Sequence, residues 1–153
     1  GLFLNTGREI SVAYPDIAFE EMIVDNCAMQ LVMNPERFDI IVTTNLFGDI
    51  LSDLCAGLIG GLGLAPGANL GHDHAIFEAV HGSAPDIAGL GIANPTALLL
   101  ATAMMLDHLE LGDAATRLRS AIKQTLTQGE YKTSDLGGEA STEQYTQALV
   151  KAL

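Results

Sequence analysis

Asn45-Leu46-Phe47-Gly48-Asp49-Ile50-Leu51-Ser52-Asp53 is the stretch on which the reading of this chain turns. Phe47 to Leu58 reads as a helix, and Asp39-Ile40-Ile41-Val42-Thr43 before it is an apolar, β-branched run expected as a buried strand. Asp49 and Asp53 stand one helical turn apart, so their carboxylates share a face. Like charges at that spacing repel by roughly a few tenths of a kcal/mol, and the sequence around them holds no Lys or Arg. Leu46, Phe47, Ile50, Leu51 and Leu54 surround the pair with apolar side chains. Two readings follow: a site for a hard divalent cation, Mg²⁺ or Mn²⁺, or a solvated acidic face.

Upstream, Met22-Ile23-Val24 is expected as a short strand, and a helix from Asp25 places Ala28, Leu31 and Val32 at helical spacing until Asn34-Pro35 ends it. Asp25 therefore stands at a strand end, where it either joins a site or caps a helix. Downstream, Gly57 to Gly91 holds nine of the chain's 16 glycines, and only Ala75–Val80 reads as a strand. A long glycine-rich loop in a compact domain points to function or to a linker; the apolar rather than Ser-rich composition favours function. Asn94 and Pro95 then suit the start of a helix over 95–111, apolar enough to be buried nearly all round and stopped by Gly112. Asp113 suits the cap of a helix to about Gln128, and Ser141-x-x-Gln144 has the form of a capping box for a last amphipathic helix.

Within the glycine-rich stretch, Phe77-Glu78-Ala79-Val80-His81-Gly82-Ser83-Ala84-Pro85-Asp86 runs from a strand into a loop. Backbone N–H groups in such a loop can hold phosphate oxygens, and an acidic residue such as Asp86 can accept from ribose hydroxyls. The alternative is an ordinary loop with a buried histidine. His72-Asp73-His74 lies among glycines without a third ligand and reads as a solvent loop. The glycine fingerprint of the Rossmann kind, the phosphate-binding P-loop and the Gly-x-Ser-x-Gly elbow are absent.

Composition narrows the function class. The 153 residues carry a formal net charge of −12, against the basic face a nucleic-acid partner needs and against an anionic membrane surface. Hydrophobic residues make up 48% and charged residues 17%, a core-forming balance. The uncharged stretch 54–68 contains five glycines and a proline and does not suit a membrane span. Cys27 and Cys55 fit no disulfide or zinc spacing and are expected as buried free thiols.

Taken together, Asn45–Asp53, Gly60-Gly-Leu-Gly63, Ala68-Asn69-Leu-Gly71 and His81-Gly-Ser-Ala-Pro-Asp-Ile-Ala-Gly89 resemble the decarboxylating β-hydroxyacid dehydrogenases, the family of isocitrate, homoisocitrate and 3-isopropylmalate dehydrogenases. The resemblance runs from Gly1-Leu-Phe-Leu4 to Asp135-Leu-Gly-Gly138, and Leu54–Gly63 is more similar to the NAD-dependent isocitrate dehydrogenase branch than to the isopropylmalate one. It implies an α/β, two-lobed subunit with a mixed sheet, residues 1–70 belonging to a small dimer-forming lobe and 71–153 to a larger cofactor-binding lobe. It implies that Asp49 and Asp53 bind Mg²⁺ or Mn²⁺ and that Asp25 serves the metal site of the partner subunit. NAD would be bound by Asn45 near the nicotinamide and by His81, Gly82, Ser83, Ala84, Pro85, Asp86, Ile87 and Asn94 around the adenosine.

The resemblance further implies metal-dependent oxidative decarboxylation of isocitrate, with homoisocitrate, isopropylmalate or a non-catalytic regulatory subunit as the alternatives. A tricarboxylate needs several cations around it, yet none of Arg8, Arg37, Arg117, Arg119, Lys123, Lys132 and Lys151 falls in these motifs. The family's catalytic lysine and tyrosine match nothing here. The chain is therefore expected to be the carboxy-terminal half of a longer enzyme, inactive alone, a homo-oligomer of at least two subunits in a bacterial cytoplasm or mitochondrial matrix. NADP-using relatives commonly have Lys and Tyr where this chain has Asp86 and Ile87, and Tyr and Arg within the segment matching Thr133–Gly138. The implied cofactor is NAD.

Overall fold

Helix α1 (Leu2–Ser11) opens the computed structural model, which describes all residues from 1 to 153. Helix α2 (Val24–Met33) follows, and Asn34, at φ −144° and ψ 60°, leaves helical geometry just before Pro35. A single 3₁₀ turn, Pro35–Arg37, and an extended segment lead to α3 (Asn45–Leu58). The chain divides into two compact units inside α3, Gly1–Leu51 and Ser52–Leu153.

In the first unit, Cys27 and Leu31 are buried on α2. Arg8 pairs with both carboxylate oxygens of Glu21, and Arg37 pairs with Glu20 at 2.8 Å. The hydrogen bonds from Arg8 hold the Glu21 carboxyl below its ordinary range. Two expected strands do not form. Ile23 is extended but Val24 already belongs to α2, and Asp39–Thr43 stays outside any ladder, with Ile40 84% and Val42 77% exposed. A strand must close its backbone hydrogen bonds on a neighbour, and neither segment finds one within the chain.

The second unit begins with the last turns of α3, from which Gly60 (φ 114°) and Gly61 (φ 117°) turn the backbone. After a 3₁₀ turn at Leu62–Leu64, β1 (Pro66–Leu70) pairs antiparallel with β2 (Ala75–Ala79), in register from Pro66 opposite Ala79 to Leu70 opposite Ala75. This pair is the only sheet in the chain. The reading of the sequence anticipated β2 and missed β1, because Pro66 and Gly67 argue against a strand; proline is tolerated here at the first position of an edge strand.

Helix α4 (Thr96–His108) is shorter than the expected 95–111. Asn94 Oδ1 accepts from the Thr96 N–H at 3.0 Å, with Pro95 at the cap position itself. The stop comes from Glu110, not Gly112. Glu110 adopts φ 61°, its N–H donates to Asp107 O, and the Leu111 N–H donates to Leu106 O at 2.8 Å, which closes a Schellman motif. Nor is α4 buried all round: Ala97, Ala101 and Ala103 are buried, but Leu98 is 56% exposed. Gly112 instead opens α5 (Gly112–Gln128), with Leu111 at the cap position and Asp113 in the first turn, where the helix dipole favours an acid. A 3₁₀ turn at Ser134–Leu136 precedes α6 (Thr142–Ala152), whose capping box forms as read: the Gln144 N–H donates to Ser141 Oγ, and the Ser141 N–H to Gln144 Oε1.

Helices α4, α5 and α6 enclose the core of Ala103, Leu118, Ala121, Ile122, Tyr145 and Leu149. Thr96 donates to the Tyr145 hydroxyl at 2.7 Å, which gives both buried hydroxyls a partner. Burial pushes the Tyr145 phenol above its ordinary pKa.

The turn between α5 and α6 is packed more tightly than its glycines suggest. A Cβ on Gly138 would lie 2.0 Å from the Lys132 carbonyl oxygen. That carbonyl accepts from the Ala140 N–H at 2.9 Å, and the Gly138 N–H donates to Thr133 O at 3.0 Å. Backbone must therefore move to admit any side chain. Gly138→Ala is expected to destabilise by about 1–3 kcal/mol, or a melting temperature lower by roughly 2–4 °C per kcal/mol. An unchanged thermal melt would show that the turn yields freely.

Candidate active-site segments

Helix α3 presents its two acids as the spacing required. Its first bonded N–H, from Gly48, reaches Thr44 O at 2.8 Å, and a Cβ at Gly48 would press on Thr43 Cγ2 at 3.3 Å. Asp49 and Asp53 are both exposed, whereas Leu51, about half a turn from each, is only 5% exposed and Ala56 3%. Asp53 takes part in none of the chain's ion pairs, which join Arg8 to Glu21, Arg37 to Glu20, His72 to Asp73 and Arg119 to Asp107. Two hard carboxylates on one exposed face suit a divalent cation. They do not complete a site: no group of three His, Cys, Asp or Glu residues is gathered closely enough to hold an ion. Asp25 lies in the first turn of α2, exposed, with Oδ1 accepting from the Asn26 N–H at 2.6 Å. Asn45 is the first residue of α3 and exposed.

The loop after β2 is open throughout. His81 to Asp86 are all exposed, so His81 is not the buried core histidine of the alternative reading, and Ile87 is half-buried. His81 Nδ1–H donates to Gly82 O at 2.9 Å; the neutral ring then keeps Nε2 as an acceptor. Ala84 takes the left-handed conformation, φ 41°, and Pro85–Ile87 forms a 3₁₀ turn closed by the Ile87 N–H on Ala84 O at 3.1 Å. A non-glycine residue at positive φ is uncommon and points to an imposed local shape. Asp86 rides on this turn with its carboxylate open to solvent.

Further along, Gly91 O accepts from the Thr142 N–H at 2.8 Å and Ala93 O from the Thr142 hydroxyl at 2.5 Å, so α6 holds the loop's end. Asn94 Nδ2 donates to Asp135 Oδ2 at 2.9 Å, and Asp135 Oδ1 accepts from the Thr133 hydroxyl at 2.5 Å. Reading by motif singled out the Thr133–Gly138 segment without giving Thr133 or Asp135 a role, and it missed Thr142. Forty-one residues separate Asn94 from Asp135, and no spacing rule reaches that far. The remaining expectations hold in part: Cys27 and Cys55 are not disulfide-bonded, with Cys27 buried and Cys55 only half-buried, and His72 to His74 are exposed. No helix is long and apolar enough to cross a membrane.

The structure thus offers an exposed acid pair on one helix and an open loop after a strand. The match to known proteins is more particular. The chain belongs to the isocitrate/isopropylmalate dehydrogenase family, whose pattern covers residues 2–152. It is 61% identical over its whole length to an isocitrate/homoisocitrate dehydrogenase of Thermus thermophilus, of which it covers 46%. It is 56% identical over 97% of its length to catalytic subunit 5 of the mitochondrial NAD isocitrate dehydrogenase of Arabidopsis thaliana, covering 40% of it. Among solved structures, isocitrate dehydrogenase from Methylococcus capsulatus superposes with a TM-score of 0.96 at 59% identity, over 99% of this chain and 45% of that one. The chain thus spans less than half the length of these relatives.

Proposed function

We propose that the protein carrying this chain oxidatively decarboxylates isocitrate to 2-oxoglutarate, with NAD as hydride acceptor and Mg²⁺ or Mn²⁺ as the metal. The observation that carries this reading is the exposed Asp49/Asp53 pair on α3, in a chain that matches a family of decarboxylating dehydrogenases along its length. Asp49 and Asp53 would ligate the cation. Asp25, an exposed acid in the first turn of α2, would complete the partner subunit's site. A cation held there supplies Lewis acidity toward a bound hydroxy acid and toward the charge left by loss of CO₂.

The chain's own residues do the binding and orienting. The backbone N–H groups of Gly82 and Ser83 are offered to phosphate oxygens, and Asp86 accepts from ribose hydroxyls. Asn94 meets the adenine and Asn45 lies toward the nicotinamide. The lysine and tyrosine of the chemical steps, and the arginines a tricarboxylate needs, come from outside these residues, so the 153-residue chain alone is inactive. Residues 1–70 belong to a small dimer-forming lobe and 71–153 to a larger cofactor lobe. The name of the Thermus relative, which joins isocitrate and homoisocitrate, makes homoisocitrate the second substrate reading.

The test is an assay of the full-length protein with NAD against isocitrate, homoisocitrate and 3-isopropylmalate. The highest kcat/KM is expected with isocitrate. A preference for either other acid moves the substrate assignment within the family, and inactivity with all three, metal present, removes the catalytic reading.

A further inference from the structure

We propose that Asp135 is a positioning residue for Asn94: its carboxylate fixes the Asn94 carboxamide in one orientation and so prepares it for the cofactor's base. The inference rests on the reading that Asn94 lines the adenosine end of the cofactor. The orientation follows from chemistry. Asp135 Oδ2 can only accept when ionised, so the Asn94 atom 2.9 Å away is the amide nitrogen. The Thr96 backbone N–H can only donate, so the atom 3.0 Å from it is the amide oxygen. A flipped carboxamide would set oxygen against carboxylate and N–H against N–H.

Asp135 is itself held. Its other oxygen accepts from Thr133, a fully buried threonine, and the turn that carries it is closed by the Gly137 and Gly138 N–H groups on Ser134 O and Thr133 O. Gly63 leaves the pair its space: a Cβ there would lie 3.2 Å from Asp135 Oδ2 and 3.5 Å from Asn94 Cβ. Once both partners are engaged, Asn94 retains one N–H and one carbonyl lone pair. Adenine offers the complementary acceptor and donor side by side. Without Asp135 the amide samples both orientations, and only one of them matches the base.

The experiment compares Asn94→Ala, Asp135→Ala, Asp135→Asn and the Asn94→Ala/Asp135→Ala double variant of the full-length protein. Asn94→Ala and Asp135→Ala are each expected to raise KM for NAD about ten-fold, the worth of one good hydrogen bond, with kcat little changed. The double variant should be no worse than Asn94→Ala, since the two residues act as one unit. Asp135→Asn should recover most of the loss, because its amide oxygen still accepts from Asn94. Gly63→Ala, which presses on the same pair without altering it, should raise the same KM and provides the test if Asp135→Ala does not fold. An additive double variant, an Asp135→Ala whose loss lies in kcat or melting temperature alone, or an Asp135→Asn no better than Asp135→Ala overturns the proposal. An unchanged KM in Asn94→Ala instead overturns the cofactor reading of Asn94 on which it rests.

Discussion

Replacing Asp53 by Asn in the full-length protein should reduce kcat/KM for the hydroxy acid by about 100-fold or more. Changes that only disturb the outer shell of a metal site cost roughly 10–100-fold, and the loss of a direct anionic ligand belongs at or beyond the upper end. Asn keeps the shape of the side chain and removes its charge, so the fold should be unaffected: Asp53 is exposed, while the buried side of α3 is carried by Leu51 and Ala56. Asp49→Asn should act in the same way. Raised Mg²⁺ should restore part of the rate if the defect is one of cation affinity. If Asp53→Asn leaves both turnover and Mg²⁺ dependence unaltered, the acid pair is a solvated helix face and no more.

The second large effect concerns cofactor choice. The wild-type protein should prefer NAD over NADP, and Asp86→Lys with Ile87→Tyr should move the ratio of kcat/KM values toward NADP by about 100-fold. The ribose 2′-phosphate carries close to two negative charges. Asp86, exposed on the Pro85–Ile87 turn, would repel it, and Ile87 offers no donor. Solvent reduces each exposed charge pair to less than about 1 kcal/mol. Reversing one charge against two still sums to roughly 3 kcal/mol, or about two decades. A wild-type preference for NADP, or a double variant with an unaltered ratio, would take Asp86 out of the cofactor site.

How far the sequence carried these conclusions depended on how local each signal was. Helices α2, α3, α5 and α6 were legible because their evidence lies within one or two turns: Asn34-Pro35 as a stop, the four-residue interval of Asp49 and Asp53, Ser141 and Gln144 as a box. The strands were not. Met22–Val24 and Asp39–Thr43 have the composition of strands but no ladder partner in this chain, and composition alone does not supply one. Strand β1 hid behind Pro66 and Gly67. The end of α4 was assigned to the residue type that best tolerates positive φ, Gly112, whereas Glu110 takes that conformation. For the site, the acid pair and the His81–Asp86 loop could be read from contiguous residues. The frame around Asn94 could not, because Thr133, Asp135 and Thr142 reach it only through the packing of α4, α5 and α6.

Whether Asp49 and Asp53 hold a cation can be measured without turnover. Mn²⁺ binding to the full-length protein can be followed by electron paramagnetic resonance, beside the Asp49→Asn and Asp53→Asn variants. Saturable binding by the wild type is expected, competed by Mg²⁺ and weakened at least ten-fold by either substitution. Mn²⁺ affinity that is the same in all three proteins would contradict the metal assignment.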